Sequence, residues 1–279
     1  MEKNGNIFCD KAISDFTISI FFAESLPSKN APQIRENKIP VKITGCTVIP
    51  HARIVYLQII ACILACKSLR QDIVFILDTS TSVGVRNFRK MLNFTKEFLQ
   101  TADIDSGSVR VGLITYSSSV TIQFHLNTFS SKKDVFSAID EVVYQSGSTN
   151  TAGALKALTV DMFTRDHGSR EDVSNVTVII TDGVSNTNMR QTIPYAEEAK
   201  LAGISIYAIG IGIKETAELK EIASTPTANF FYTIDDFAEL DQVRESLFES
   251  FCLGNVNVIL IVEVTWRRFL STTAFVLLF

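Results

Sequence analysis

The stretch DIVFILDTSTS, residues 72–82, determines the fold and marks a candidate binding site. Residues 73–77 form a continuous apolar run, which is typical of a parallel strand covered on both faces. Asp78, Ser80 and Ser82 follow this strand, at the edge where open α/β sheets bind ligands. One carboxylate and two hydroxyls are hard oxygen ligands, so they suit Mg²⁺, which keeps several of its waters.

Two further segments bring similar chemistry to the ends of predicted elements. Residues 148–151, Ser-Thr-Asn-Thr, open a helical pattern, and the β-branched run 176–181 stops at Asp182-Gly183. Because the carboxyl ends of parallel strands meet at one edge of a sheet, we expect five side chains to converge there. They are Asp78, Ser80, Ser82, Thr149 and Asp182.

The alternation of strand and helix patterns predicts an α/β fold with a doubly wound, mostly parallel sheet and helices on both faces. A hairpin of residues 109–116 and 120–126 adds one antiparallel edge strand. The other predicted strands are 72–78, 176–181, 204–209 and 229–233. The predicted helices are 86–100, 132–144, 151–163, 193–202, 215–223 and 237–251.

The ordered set Asp-x-Ser-x-Ser, then Thr149, then Thr-Asp-Gly at 181–183 resembles the metal-ion-dependent adhesion site of the von Willebrand factor type A domain. The resemblance covers roughly residues 72–252 and implies a Rossmann-like fold. It implies that the five residues bind Mg²⁺ or Mn²⁺, and that a carboxylate from a partner protein completes the coordination. It also implies that the last helix, 237–251, can slide when ligand binds.

Each of the five positions also has a purely structural explanation. A Ser or Thr after a strand is often a helix cap or turn former, and Asp-Gly is a common turn. The complete set in order favours the metal site.

The sequence does not predict an enzymatic function. Asp78-Thr79-Ser80 faintly resembles haloacid-dehalogenase-like phosphotransferases, but these need a second Asp where this chain has Ser80, so the general acid is missing. The chain also lacks the Gly-x-Ser-x-Gly, P-loop and His-Glu-x-x-His motifs. Its three histidines, His51, His125 and His167, fit no ligand or triad pattern and are predicted to lie on the surface or in loops.

The composition argues against two classes of partner. The formal net charge is −4 and no block of like charge occurs, so neither nucleic acid nor an anionic membrane surface is indicated.

The segments that flank the domain carry less information. Residues 1–53 are broken by prolines, and no fold is assigned to them. They are expected to be either disordered or a mispredicted leader. Residues 54–65 resemble a signal-peptide core with cleavage near Ala65; the alternative is an apolar segment packed on the domain. Residues 66–252 form the predicted domain. The apolar tail 253–279 contains Glu263, Arg267 and Arg268, which disfavour a membrane span.

Cysteines and glycosylation sequons indicate the compartment. In extracellular relatives of the resembled family, positions equivalent to Cys66 and Cys252 are often joined, which implies a disulfide here; two free thiols are the alternative. Asn93 and Asn175 each begin a sequon, and Asn175, just before a strand, is the favoured acceptor.

We therefore predict a secreted module of the extracellular matrix type, similar to matrilin, cochlin and collagen A domains. Its expected partner is a matrix or cell-surface protein that offers an acidic residue. An intracellular assembly module and a metal-dependent hydrolase are the alternatives.

Overall fold

A computed structural model describes residues 16–23, 34–41, 70–254, 260–264 and 273–277. Within them lie ten strands: β1 (Phe16–Ala23), β2 (Ile34–Val41), β3 (Gln71–Asp78), β4 (Val109–Tyr116), β5 (Val120–Phe124), β6 (Ser174–Thr181), β7 (Ile204–Ile211), β8 (Phe231–Ile234), β9 (Leu260–Val264) and β10 (Thr273–Leu277). Seven α-helices accompany them: α1 (Gly84–Leu99), α2 (Lys132–Asp140), α3 (Thr151–Ala157), α4 (Thr192–Leu201), α5 (Ala217–Ile222), α6 (Thr227–Phe230) and α7 (Leu240–Gly254).

The chain divides into two units, and the larger, residues 63–252, contains a six-stranded sheet. Its order is β5-β4-β3-β6-β7-β8, and every pairing is parallel except that of β5 with β4. The predicted fold class and its antiparallel edge strand are confirmed.

The central strand β3 explains why the sheet is covered on both faces. Ile73, Phe75 and Leu77 point into a core that also contains residues of α1, α2 and α7. Val74 and Ile76 point into a second core with residues of α3, α4 and α5. Alternate side chains of a strand point to opposite faces, so an unbroken apolar run contributes side chains to both cores.

The smaller unit comprises residues 1–62 and 253–279. Its described strands form an antiparallel sheet in the order β10-β9-β1-β2, with Phe16 opposite Val41 at one end of the β1–β2 pair. These strands lie in the segments to which sequence reasoning assigned no fold.

Two predicted helices end differently from expectation. The helix predicted over 132–144 is wrong beyond Asp140, where the helix ends. Further along, the Tyr144 hydroxyl donates to the Ser80 carbonyl at 2.8 Å. The helix predicted over 151–163 is α-helical only to Ala157 and continues as one π-helical turn, Leu158–Met162.

Candidate metal centre

The sheet topology places the candidate site at the carboxyl ends of β3 and β6. β3 lies between β4 and β6 in the sheet. The chain continues from β3 to β4 on one side, and from β6 to β7 on the other, so the loops after β3 and β6 diverge and leave a crevice between them. Leu77 pairs with Ile180, which sets Asp78 beside Thr181. The loop after β3 and the loop after β6 therefore begin at neighbouring positions.

Asp78 is a fully buried carboxylate held by neutral donors. The Ser80 backbone N–H donates to Oδ1 at 2.7 Å, and the Thr181 hydroxyl donates to Oδ2 at 2.6 Å. Burial raises the pKa of Asp78 to about 6, against these hydrogen bonds and with a further contribution from the charge of Asp182. Within residues 70–254, no Lys, Arg or His forms an ion pair with Asp78.

A chain of hydrogen bonds links the other oxygens of the two loops. The Ser80 and Ser82 hydroxyls are 3.0 Å apart, and the Ser82 hydroxyl donates to Asp182 Oδ1 at 2.8 Å. Burial is also the main reason that the pKa of Asp182 is raised. Two carboxylates thus share one small polar site, and burial disfavours the charged form of each.

Thr149 lies in a third loop that is fastened to the other two. The Thr149 backbone N–H donates to Asn186 Oδ1 at 2.8 Å, and its carbonyl accepts from the Asn186 N–H at 3.0 Å. The Gly147 carbonyl accepts from the Thr81 N–H at 2.9 Å. Gly147 has φ +129°, and a Cβ there would lie 2.7 Å from the Ser118 hydroxyl, so the loop requires glycine. The Ser80, Ser82 and Asp182 side chains are joined by hydrogen bonds, and Asp78 is bonded to the Ser80 backbone N–H. Backbone contacts bring the Thr149 loop beside them.

The donor set fits a hard divalent cation. Its oxygens come from serine and threonine hydroxyls and two carboxylates, as expected for Mg²⁺ or Mn²⁺. A cation would also balance the charge of the buried Asp78, for which the described fold provides no positive partner.

Three supporting residues were not predicted from the sequence. Thr181 fixes one oxygen of Asp78, Tyr144 holds the Ser80 carbonyl, and Asn186 orients the Thr149 backbone. Thr181 could have been found, because it precedes Asp182 at the end of a predicted strand. Nothing local in the sequence indicates the other two.

The doubly wound sheet and the oxygen-rich crevice define an α/β domain built to hold a divalent cation at its switch point. The family model of the von Willebrand factor type A domain matches residues 72–246, and the chain belongs to that family.

Relatives with this domain are matrix proteins. Matrilin-1 of Homo sapiens is 35% identical over 182 residues, which cover 65% of this chain and 36% of matrilin-1. Collagen alpha-4(VI) of Mus musculus is 33% identical over 65% of this chain and 8% of the collagen chain. Collagen alpha-1(XII) of Notophthalmus viridescens is 35% identical over 68% and 20% of the respective chains. The chain thus spans about a third of matrilin-1, and the predicted extracellular matrix location is confirmed.

A solved structure with the same fold is proximal thread matrix protein 1 from the mussel byssus. It superposes with a TM-score of 0.63 at 28% identity, covering 67% of this chain and 48% of the mussel chain. A second structure of that protein, which is 26% identical to this chain, has zinc in its metal-ion-dependent adhesion site (MIDAS) motif. Divalent cation binding thus occurs in a relative of this domain.

The predicted disulfide and signal segment lie outside the described residues, because Cys66 and residues 54–65 are not among them. Both stay predictions, as do the two sequons. Asn93 is exposed on α1, whereas Asn175 is half-buried in β6 and its side-chain oxygen is buried. Asn93 is thus more accessible than Asn175, which is the reverse of the order expected from the sequence, because β6 is a central strand.

Among the described helices, none has the length and apolarity needed to cross a membrane.

Proposed function

We propose that this domain is an extracellular adhesion module that binds an acidic residue of a matrix or cell-surface protein through a divalent cation. Ser80, Ser82 and Thr149 supply hydroxyl oxygens to the cation, and Asp78 and Asp182 balance its charge directly or through water. The buried Asp78, which has no positively charged partner among the described residues, is the observation that carries the proposal.

The charge of the site favours an anionic partner. Asp78 and Asp182 together carry the two negative charges that balance a divalent cation. The hydroxyl ligands are neutral and add no negative charge. A cation held mainly by neutral oxygens remains attractive to a further anion, and the strength of this attraction increases in a partly desolvated crevice. A partner carboxylate supplies that anion.

The same site favours binding over catalysis. A hydrolase would need a group that accepts a proton from water beside the metal. Asp78 is engaged by Ser80 and Thr181, and Asp182 is engaged by Ser82, so both carboxylates serve to order the loops. We propose Mg²⁺ as the resident cation, with Mn²⁺ as a substitute, because the donors are all oxygens.

The test is capture of matrix proteins on the immobilised full chain, in Mg²⁺ and in chelator, with Asp78→Ala compared with the wild type. Asp172→Asn is a matched control, because Asp172 is an exposed acid paired with Arg70 and lies before the start of β6. Binding should require Mg²⁺, should disappear in Asp78→Ala and should be unchanged in Asp172→Asn. Binding that survives both the Asp78 change and the chelator would refute the proposal.

A further inference from the structure

Two of the three histidines meet a carboxylate in a cluster separate from the adhesion site. His125 Nε2 lies 3.0 Å from Asp161 Oδ1, and His167 Nδ1 lies 2.8 Å from the same oxygen. One donor atom from each side chain lies within 4.8 Å of the other two. Sequence reasoning placed these histidines in no ligand pattern, because 36 residues separate His125 from Asp161 and no local motif joins them.

The backbone around the cluster is firmly connected. Thr128 and His125 bond to each other in a turn after β5, where the His125 N–H donates to the Thr128 hydroxyl at 2.9 Å. The Asn127 amide donates to the Asp166 carbonyl at 3.0 Å, which joins this turn to the loop that carries His167. Gly168, with φ +94°, packs so closely on Asn127 that a Cβ would lie 2.7 Å from it.

Asp161 occupies an unusual backbone position. It lies in the π-helical turn Leu158–Met162, whose closing bond runs from the Phe163 N–H to the Leu158 carbonyl at 2.8 Å. Such turns are rare and occur frequently at functional sites. From this turn, Asp161 Oδ1 reaches one nitrogen of each of the two imidazole rings.

We propose that His125, Asp161 and His167 form a second metal site, which takes Zn²⁺ or a similar transition metal. Two imidazole nitrogens and one carboxylate oxygen are a common zinc ligand set, with water in the fourth position. The three side chains are about one-third exposed, at 28%, 35% and 38%, so water and metal can reach them.

Metal binding requires a rearrangement, in which His167 Nδ1 leaves the Asp161 backbone carbonyl that now lies 2.7 Å from it. Tetrahedral zinc with bonds of about 2.0–2.1 Å separates its ligand atoms by roughly 3.3 Å, so the present hydrogen-bonded distances must open by a few tenths of an ångström. The rings are stacked, with centroids 3.8 Å apart and planes 17° from parallel. Each ring must therefore rotate to direct its lone pair at one ion, and its partial exposure permits the rotation.

The two sites differ in place and in metal preference. Thr149 and Asp161 are joined by α3 and its π turn, a distance of about 15 Å along the helix axis. The first site offers only oxygens, and Mg²⁺ prefers these; the second offers two nitrogens, which favour zinc. Excess Mg²⁺ therefore fills the first site and leaves the second for zinc.

The experiment is calorimetric Zn²⁺ titration of the full chain, made without a histidine tag, in excess Mg²⁺. The wild type should bind one more equivalent of Zn²⁺ than the double variant His125→Gln/His167→Gln. His51→Gln is the matched control and should keep that equivalent. Asp161→Asn should weaken binding by about tenfold or more, since it removes one ligand.

A second measurement covers the case in which the double variant folds poorly. In the wild type, Zn²⁺ should protect His125 and His167 from diethyl pyrocarbonate, as measured by peptide mass spectrometry, whereas Mg²⁺ should not. Equal zinc stoichiometry in the wild type and a folded double variant would overturn the proposal. Unprotected histidines at saturating Zn²⁺ would also overturn it, and the cluster would then be a hydrogen-bonded pair of rings only.

Discussion

Replacement of Asp78 by asparagine should stabilise the metal-free protein while it abolishes the response to Mg²⁺. The buried carboxylate has no positive partner among the described residues, so its charge opposes folding. Asparagine keeps nearly the same shape. Its oxygen can accept from the Ser80 N–H, and its amide can donate to the Thr181 hydroxyl, which has the Gly183 carbonyl as another acceptor at 3.0 Å.

The magnitude follows from the pKa of Asp78. The pKa is raised from 3.8 to about 6, so between these values the folded protein holds a proton that the unfolded chain has lost. The free energy of unfolding therefore falls as the pH rises through this window, and the loss is complete above about pH 6. Two pKa units at 1.36 kcal/mol each correspond to about 3 kcal/mol. Asp78→Asn should recover most of this, roughly 5–10 °C in Tm for a domain of this size.

The assay is urea unfolding of the wild type and the variant at pH 4 and pH 8, in chelator and in excess Mg²⁺. In chelator, the variant should be more stable at pH 8 and equal to the wild type at pH 4. Mg²⁺ should stabilise the wild type at pH 8 by binding the folded state, and should leave the variant unchanged.

A matched control is available on the same strand. Asp72 is also fully buried, but its carboxylate receives two hydrogen bonds from the Arg170 guanidinium, at 2.9 and 2.7 Å. Asp72→Asn should destabilise the protein by about 3 kcal/mol or more, since it leaves Arg170 unpaired. Equal stability of the wild type and Asp78→Asn at pH 8 in chelator would refute the reasoning, as would an Asp78→Asn variant that Mg²⁺ still stabilises.

Three other substitutions or modifications can be predicted from single contacts. Ser82→Ala removes the hydroxyl between Ser80 and Asp182, so Mg²⁺ should produce a smaller thermal shift, while the metal-free stability changes by only about 0.5 kcal/mol at this exposed residue. Phe98→Ala removes a buried ring that contacts four other phenylalanines, and urea unfolding should show a loss of about 3–5 kcal/mol. Glycopeptide mass spectrometry of the secreted protein should find Asn93 occupied in preference to Asn175, because Asn93 is exposed; the reverse occupancy would contradict this reading.

Much of the fold follows from sequence because each strand carries its own signal. The run 73–77 is apolar at every position, and such a run is stable only between two covered faces. Helix ends were harder to predict. The residues after Asp140 leave the helix, and Tyr144 bonds to Ser80, which lies 64 positions earlier in the sequence. Helix propensity depends on neighbouring residues and does not include such a distant contact.

The candidate centre was predictable to the extent that its residues end predicted strands or begin a helix. Asp78 and Asp182 follow apolar runs, so their meeting depends only on the neighbouring positions of β3 and β6. Asn186 and Tyr144 act through the backbone of other residues, and no spacing rule connects them to the site. The cluster at Asp161 was missed for the same reason, since its members come from three separate segments.

The two buried aspartates of β3 show how one strand serves both stability and binding. Asp72, at the start of the strand, is neutralised by Arg170, and the guanidinium also donates to the Gln71, Gly107 and Ser108 carbonyls. Asp78, at the other end, receives only neutral donors from the described fold. A resident cation like Arg170 would close the site to a metal and cancel its attraction for a partner anion. Because no described Lys, Arg or His pairs with Asp78, the metal-free domain is less stable, and an exchangeable cation can couple folding stability to partner binding.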